Sequence, residues 1–182
     1  MIVMPENIIL WRHAEAKDLI DGEGMNQINT LQIDRTQSDL QRALTQKGLQ
    51  QAADMAKWLK LNLPKNALLQ CSPALRAYQT AKALQALNKS YKININQALK
   101  PSASLHVVLE CITQANCAHS LVLVGHQPWL GQLAAHFFGF AEAEIAIKKG
   151  AVWWLRLNKA RLMDKSLLAQ YNIHSVQTPR LL

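Results

Sequence analysis

The sequence of 182 residues lacks the features that mark membrane and secreted proteins. It contains no uncharged apolar run near the roughly 18 residues that a membrane-spanning helix needs. Its amino terminus has Pro5, Glu6 and Asn7 where a secretory signal would carry basic residues before its apolar stretch. We therefore expect a cytoplasmic protein that does not act at a membrane.

Cysteine is also scarce. The three cysteines, Cys71, Cys111 and Cys117, are odd in number and show no C-x-x-C spacing. This pattern argues against a disulfide framework and against a zinc site. We expect reduced, buried thiols instead.

Acidic residues are few, with 12 Asp and Glu against 20 Lys and Arg, which gives a formal charge of +8 and a pI near 9.6. Such a balance suits an anionic partner, such as a nucleic acid, a phosphorylated protein or a phosphate ester. The chain has no run of five basic residues and no pattern of interleaved aromatic and basic residues. These absences argue against a nucleic-acid partner.

The apolar residues present predict an α/β fold. The length fits one domain over residues 1–182. Strand-like runs alternate with segments of helical period, which is the α/β pattern. The predicted strands are Ile8–Trp11, Ala67–Cys71, Ile93–Ile95, Leu121–Val124 and Val152–Leu157.

Two helix starts can be read directly from the sequence. Thr45 is a suitable N-cap for a helix that ends before Pro64. Ser72 is the expected N-cap of the next helix, with Pro73 at its first position. Residues 17–41 are polar and without clear period, so we expect a long loop or insertion there.

Histidine and arginine follow the predicted strands. Arg12 and His13 end the first strand, Arg76 lies in the first turn after the second, and His126 follows the fourth. Ligands of open α/β sheets bind beyond the carboxyl ends of the strands. The two arginines and two histidines are therefore expected to share one pocket.

This set of residues suits phosphoryl transfer. The planar, permanently charged side chains of Arg12 and Arg76 could hold phosphoryl oxygens by paired hydrogen bonds. A neutral imidazole nitrogen of His13 could attack phosphorus and carry the group, and water would then hydrolyse the phosphohistidine. An anion would also compensate Arg76, whose charge is unfavourable at a helix amino terminus.

The order of four motifs resembles the histidine phosphatase superfamily, and within it the SixA-type branch of phosphohistidine phosphatases. The motifs are LWRHAEA, RALTQKG, SPALRAYQT and LVLVGHQPWLGQLA. The resemblance implies a phosphoglycerate mutase-like fold, a three-layer α/β/α sandwich with a mostly parallel central sheet. It assigns His13 as the phosphorylated histidine, Arg12 and Arg76 as the phosphate clamp, and His126 as the second phosphoryl-binding histidine. It also implies that neither a metal nor an organic cofactor takes part.

The sequence departs from the superfamily pattern in two places. Ala14 replaces the glycine that commonly follows the histidine, and residues 98–109 offer no carboxylate where larger relatives carry a Glu-containing segment for the general acid. Arg42 and Glu15 are further candidates for substrate binding. The Glu15 side chain should point away from that of His13 if strand geometry persists.

The leading hypothesis is a phosphatase that removes phosphate from histidine of signalling or phosphotransfer proteins, through a covalent phosphohistidine intermediate. An imidazole that leaves a protonated phosphohistidine has a pKa near ~6.5 and needs less help from an acid than an alkoxide does. One alternative is a small-molecule phosphomonoesterase with the same pocket. Another is a non-catalytic protein that binds phosphate or nucleic acid.

Overall fold

Strands and helices alternate along the chain in the computed structural model, which describes residues 4–19, 37–64, 66–115, 119–140, 144–158 and 171–181. The strands are β1 (Asn7–Arg12), β2 (Leu68–Cys71), β3 (Ile93–Ile95), β4 (Ser120–Gly125), β5 (Val152–Leu157) and β6 (Tyr171–Gln177). The helices are α1 (Gln46–Asn62), α2 (Leu75–Leu87), α3 (Leu105–Gln114) and α4 (Trp129–Phe137), with 3-10 turns at Gln97–Leu99 and Pro179–Leu181.

The strands of the described residues form one sheet in the order β3-β2-β4-β1-β5-β6. The pairs β3–β2, β2–β4 and β4–β1 are parallel, while β1–β5 and β5–β6 are antiparallel. The predicted α/β class and the mostly parallel sheet are confirmed. Because β1, β2 and β4 run in the same direction, the residues that follow them meet at one edge of the sheet.

The alternation of side chains along β1 explains the three layers. Ile8 and Leu10 face a core built with α3 and α4, whereas Ile9 and Trp11 face a second core built with α1 and α2. Every residue of β4 is buried, which is the reason for its unbroken apolar run. The sheet is therefore covered by helices on both faces, as expected.

The helix starts agree with the prediction in one case and correct it in the other. The Thr45 side chain accepts a hydrogen bond from the Gly48 N–H at 3.0 Å and caps α1. Ser72 is not the N-cap of α2, because Ala74 has an extended backbone with ψ of 133° and the helix begins only at Leu75. Ser72 accepts the Ala74 N–H in a turn that precedes the helix.

One strand was missing from the prediction. β6 pairs with β5 at the edge of the sheet, but the register shifts between Trp154 and Leu155, which pair with Ser175 and Ile173. The unpaired His174 breaks the alternation of apolar and polar residues that reveals a half-buried strand.

The polar segment predicted at residues 17–41 lies partly outside the described residues. Residues 20–36 are not described, and residues 37–40 form a helical turn. Cys71 and Cys111 are buried and free, as expected, while Cys117 lies outside the described residues. Within the described part of the chain, no helix has the length and apolar character to cross a membrane.

Two leucines of α1 provide a direct test of the packing. Leu59 is fully buried and Leu61 is 83% exposed, although both lie in the last turns of the same helix. We expect Leu59→Ala to lower the free energy of unfolding by about 2–5 kcal/mol, because it leaves a cavity between α1 and the sheet. Leu61→Ala should change it by less than about 0.5 kcal/mol. Urea unfolding of both variants measures the difference, and similar losses would contradict this packing.

Candidate active site

The pairing of β1 with β4 brings two histidines together. Arg12 and Gly125 are paired at the ends of the two parallel strands. A histidine directly follows each of them, His13 after β1 and His126 after β4. The His13 N–H donates to the Gly125 carbonyl at 3.0 Å, and the rings of His13 and His126 are 5.0 Å apart between centroids. A Cβ at Gly125 would lie 1.9 Å from the Trp129 ring, so only glycine leaves room for that indole beneath the site.

The surroundings of His13 determine which ring nitrogen can react. Its Nδ1 is 2.7 Å from the Ala14 carbonyl oxygen, which can only accept, so Nδ1 carries the proton. Burial, with the nearby charges of Arg76, Arg12 and Lys149, lowers the pKa of His13 to about 3 despite the opposing hydrogen bond to Ala14. The ring is therefore neutral at physiological pH. Its Nε2 keeps a lone pair and can act as a nucleophile.

Arg12 and Arg76 supply positive charge on the same side of the sheet. Arg12 donates through Nη1 to the Ile147 carbonyl at 2.6 Å, and Arg76 is only 4% exposed. The charges of both arginines lower the pKa values of His13 and His126. Among the described residues neither Nε atom has a hydrogen-bond partner, although both are buried. A buried donor without a protein partner needs a water molecule or an ion to complete its hydrogen bonding, and a bound anion could accept from both arginines.

His126 is 2% exposed and lies between His13 and Ser72. Its Nε2 is 2.7 Å from Ser72 Oγ. Burial, together with the nearby His13, Arg76 and Arg12, lowers the pKa of His126 to about 2. Two neutral imidazoles thus face each other, beside two guanidinium groups.

Asp39 is a member of the site that the sequence did not reveal. Its Oδ2 accepts from Arg76 Nη2 at 2.8 Å, its carbonyl accepts from Arg76 Nη1, and its Oδ1 accepts from Arg42 Nη1 at 3.0 Å. Burial alone would raise the pKa of Asp39, but the hydrogen bonds from Arg76 and Arg42 outweigh it and lower the pKa. The carboxylate is therefore a counterion that holds one edge of Arg76.

The two additional candidates from the sequence, Arg42 and Glu15, have different surroundings, and only Arg42 contacts Asp39. Arg42 also donates from Nε to the Lys17 carbonyl at 2.6 Å. The Glu15 carboxylate is bound by the Thr45 hydroxyl at 3.1 Å and by Lys47 at 2.8 Å, at the start of α1. These hydrogen bonds, with that of Lys47 foremost, lower the pKa of Glu15.

A second carboxylate, that of Glu144, lies near Arg12. It accepts a hydrogen bond from Gln127 Nε2 at 3.2 Å, and the same amide donates to the Ile145 carbonyl at 2.9 Å. Burial lowers the pKa of Arg12, and the charge of Glu144 partly offsets this effect. Glu144 is exposed, so it lies at the rim of the site.

The arrangement combines a neutral nucleophilic nitrogen, two guanidinium groups with buried unpaired N–H donors, and a second imidazole. These groups can bind a tetrahedral anion such as a phosphate group. The Nε2 atom of His13 can then form a bond to its central atom. Within the described ranges, no group of three or more His, Cys, Asp or Glu side chains is placed to hold a metal ion.

Comparison with known proteins identifies the family of the chain. Residues 8–101 match the family model of the histidine phosphatase superfamily, branch 1. An uncharacterized protein of Picosynechococcus is 38% identical over 128 residues, which cover 68% of this chain and 77% of the relative.

Solved structures share the fold. The putative phosphohistidine phosphatase SixA from Agrobacterium tumefaciens has a TM-score of 0.71 at 20% identity, over 96% of this chain and 99% of the other. A protein histidine phosphatase SixA complexed with tungstate has a TM-score of 0.69 at 21% identity, over 96% and 98%. A putative alpha-ribazole-5'-P phosphatase from Escherichia coli has a TM-score of 0.67 at 16% identity, over 96% and 97%. The chain therefore belongs to the histidine phosphatase superfamily, branch 1, and is a phosphatase of that superfamily.

Proposed function

We propose that the chain is a phosphohistidine phosphatase that removes phosphate from histidine side chains of signalling or phosphotransfer proteins. The observation that carries the proposal is the state of His13, a buried neutral ring whose Nδ1–H is bound to the Ala14 carbonyl and whose Nε2 lone pair is free to attack. In this proposal Arg12, Arg76 and His126 bind the phosphoryl oxygens.

The reaction proceeds in two displacements. The Nε2 lone pair of His13 forms a bond to phosphorus while the phosphorus–nitrogen bond of the substrate breaks, and the electron pair returns to the substrate imidazole. A substrate ring that carries a proton on its other nitrogen departs neutral. Water then attacks the phosphoryl group on His13, the bond to Nε2 breaks, and inorganic phosphate leaves.

The ionised state of Asp39, which binds Arg76, supports a substrate whose leaving group needs no proton from the enzyme. Asp39 is held ionised by Arg76 and Arg42, and an ionised carboxylate cannot donate a proton. A protonated phosphohistidine supplies its own neutral leaving group, whereas an alkoxide must be protonated as it departs. Phosphohistidine is therefore the substrate class that this pocket suits best.

The partner we propose is a phosphorylated protein. Lys148 and Lys149 are exposed in the segment before β5, and the charge of Lys149 is near enough to lower the pKa of His13. Positive charge at the rim, with the net charge of +8, favours encounter with an acidic phosphoprotein. We further propose a cytoplasmic location, which the buried free thiols of Cys71 and Cys111 support.

A second candidate function rests on Glu144. Its carboxylate lies at the rim beside Arg12 and is held by Gln127. If it were protonated, it could assist an alkoxide leaving group, and the enzyme would then hydrolyse small phosphomonoesters.

Phosphate release decides between the two candidates. Turnover of a phosphohistidine-containing protein and of glycerol 2-phosphate, whose leaving group is an alkoxide, is compared for the wild type and Glu144→Gln, with chelator present. We expect kcat/KM to favour the phosphoprotein by at least about 100-fold and Glu144→Gln to change it less than about threefold. A preference for the ester, lost by about 100-fold in Glu144→Gln, would replace phosphohistidine as the substrate.

A further inference from the structure

Ser72 lies between α2 and His126 and is fully buried. It directly follows β2, and its N–H donates to the Val124 carbonyl at 3.0 Å. Its Oγ accepts the Ala74 N–H at 3.2 Å and lies 2.7 Å from His126 Nε2. The hydroxyl is thus fixed by backbone on one side and faces the imidazole on the other.

The two nitrogens of His126 are in different situations. Nε2 contacts Ser72, whereas Nδ1 is buried and has no hydrogen-bond partner among the described residues. Since the ring is 5.0 Å from that of His13, Nδ1 is the nitrogen left to contact a phosphoryl group carried on His13. Buried nitrogens without partners are rare, and each needs a water, an ion or a functional role to account for it.

A neutral ring carries one N–H and one lone pair, so the Ser72 contact decides what Nδ1 can do. If Nε2–H donated to Ser72, the lone pair of Nδ1 would face the oxygens of an anion and repel them. If the Ser72 hydroxyl donates to Nε2, Nδ1 keeps its proton and becomes a donor to the anion. The bond from the Ala74 N–H leaves the Ser72 proton free to point at Nε2, and it strengthens that donation.

We propose that Ser72 is a positioning residue that holds His126 in the Nδ1–H tautomer, so that His126 donates a hydrogen bond to the phosphoryl group in transit to His13. The inference rests on the proposed function for the identity of that group and deepens it. Ser72 acts through His126 and does not itself touch the reacting atoms.

The tautomer can be observed directly in the wild-type protein. The 15N chemical shifts and long-range proton couplings of the His126 ring identify which nitrogen carries the proton. We expect a protonated Nδ1 and an unprotonated Nε2 in the wild type, and a mixed or reversed state in Ser72→Ala. A wild-type ring protonated on Nε2 would overturn the proposal. This measurement is made on the wild-type protein, so it does not depend on the stability of a variant.

Kinetics tests the same idea with a matched control. Ser104 also accepts a backbone N–H at a helix start, from Val107, so Ser104→Ala repeats the loss of a serine turn away from the site. We expect Ser72→Ala to lower kcat about 10- to 100-fold with KM changed less than about threefold, Ser72→Thr to restore most of the rate, and Ser104→Ala to be unaffected. An unchanged kcat in folded Ser72→Ala would overturn the proposal.

The two proposals can fail separately. In one outcome, the wild type hydrolyses phosphohistidine while its His126 is protonated on Nε2. That result would overturn the role of Ser72 and support the proposed phosphatase function. An Nδ1–H ring in a protein that hydrolyses no phosphohistidine would support the tautomer and overturn the function.

Discussion

Replacement of His13 with alanine is expected to lower the turnover of phosphohistidine by at least about 10⁴-fold, because the variant loses the nitrogen that would carry the phosphoryl group. Binding should persist, since Arg12, Arg76 and His126 remain. The wild type should also form an acid-labile, base-stable phosphoenzyme when it is quenched with radiolabelled substrate, and His13→Ala should not.

His106 provides a control for this experiment. Its side chain is 81% exposed on α3 and is paired with Glu110. His106→Ala should retain wild-type turnover and phosphoenzyme formation. If His13→Ala kept more than a tenth of the wild-type rate, His13 could not be the nucleophile, and a direct attack by water would have to be considered.

The second large effect is expected from Arg76→Lys, which keeps the positive charge but removes the guanidinium fork, the planar set of N–H donors on three nitrogens. Arg76 uses Nη1 and Nη2 to bind Asp39, and its buried Nε–H has no partner in the described part of the chain. A lysine has one donor centre and cannot contact both Asp39 and a phosphoryl oxygen in the same geometry. We expect kcat/KM to fall by roughly 10²–10³-fold, and the affinity for tungstate, an analogue of phosphate, to fall as well.

Lys82 provides the matched control on the same helix. It is exposed on α2, so Lys82→Arg makes the reverse exchange of basic residues without touching the site. Its kcat/KM should stay at the wild-type value. Equal losses in both variants would indicate an effect of α2 as a whole, and a wild-type rate in Arg76→Lys would remove the need for the guanidinium fork.

The parts of the fold that could be predicted are those whose cause is local. Thr45 caps α1 through a hydrogen bond three residues away, and the apolar run of β4 follows directly from burial on both faces. The grouping of Arg12, His13, Arg76 and His126 also followed from the sequence, because parallel strands place their carboxyl ends together. The matched family model confirms the superfamily that these motifs indicated.

The parts that could not be predicted depend on contacts between distant residues. Asp39 binds Arg76 across 37 positions, from a polar segment that has no period to mark it. Serine is a common N-cap residue, so the sequence suggested that role for Ser72. Only the packing of β2 beside β4 shows that its hydroxyl faces His126. β6 was missed because the bulge at His174 breaks the alternation that reveals a strand.

The parallel ladder between β1 and β4 has a consequence for the evolution of such enzymes. Adjacent strands lie about 4.8 Å apart, and His13 and His126 follow paired residues of two neighbouring strands. The sheet therefore fixes the spacing of the two backbone positions, from which the rings reach a centroid distance of 5.0 Å. Insertions between β1 and α1, or between α4 and β5, can change which molecules reach the pocket while the backbone positions of the two histidines stay fixed by the sheet. A scaffold of this kind allows substrate preference to diverge faster than chemistry.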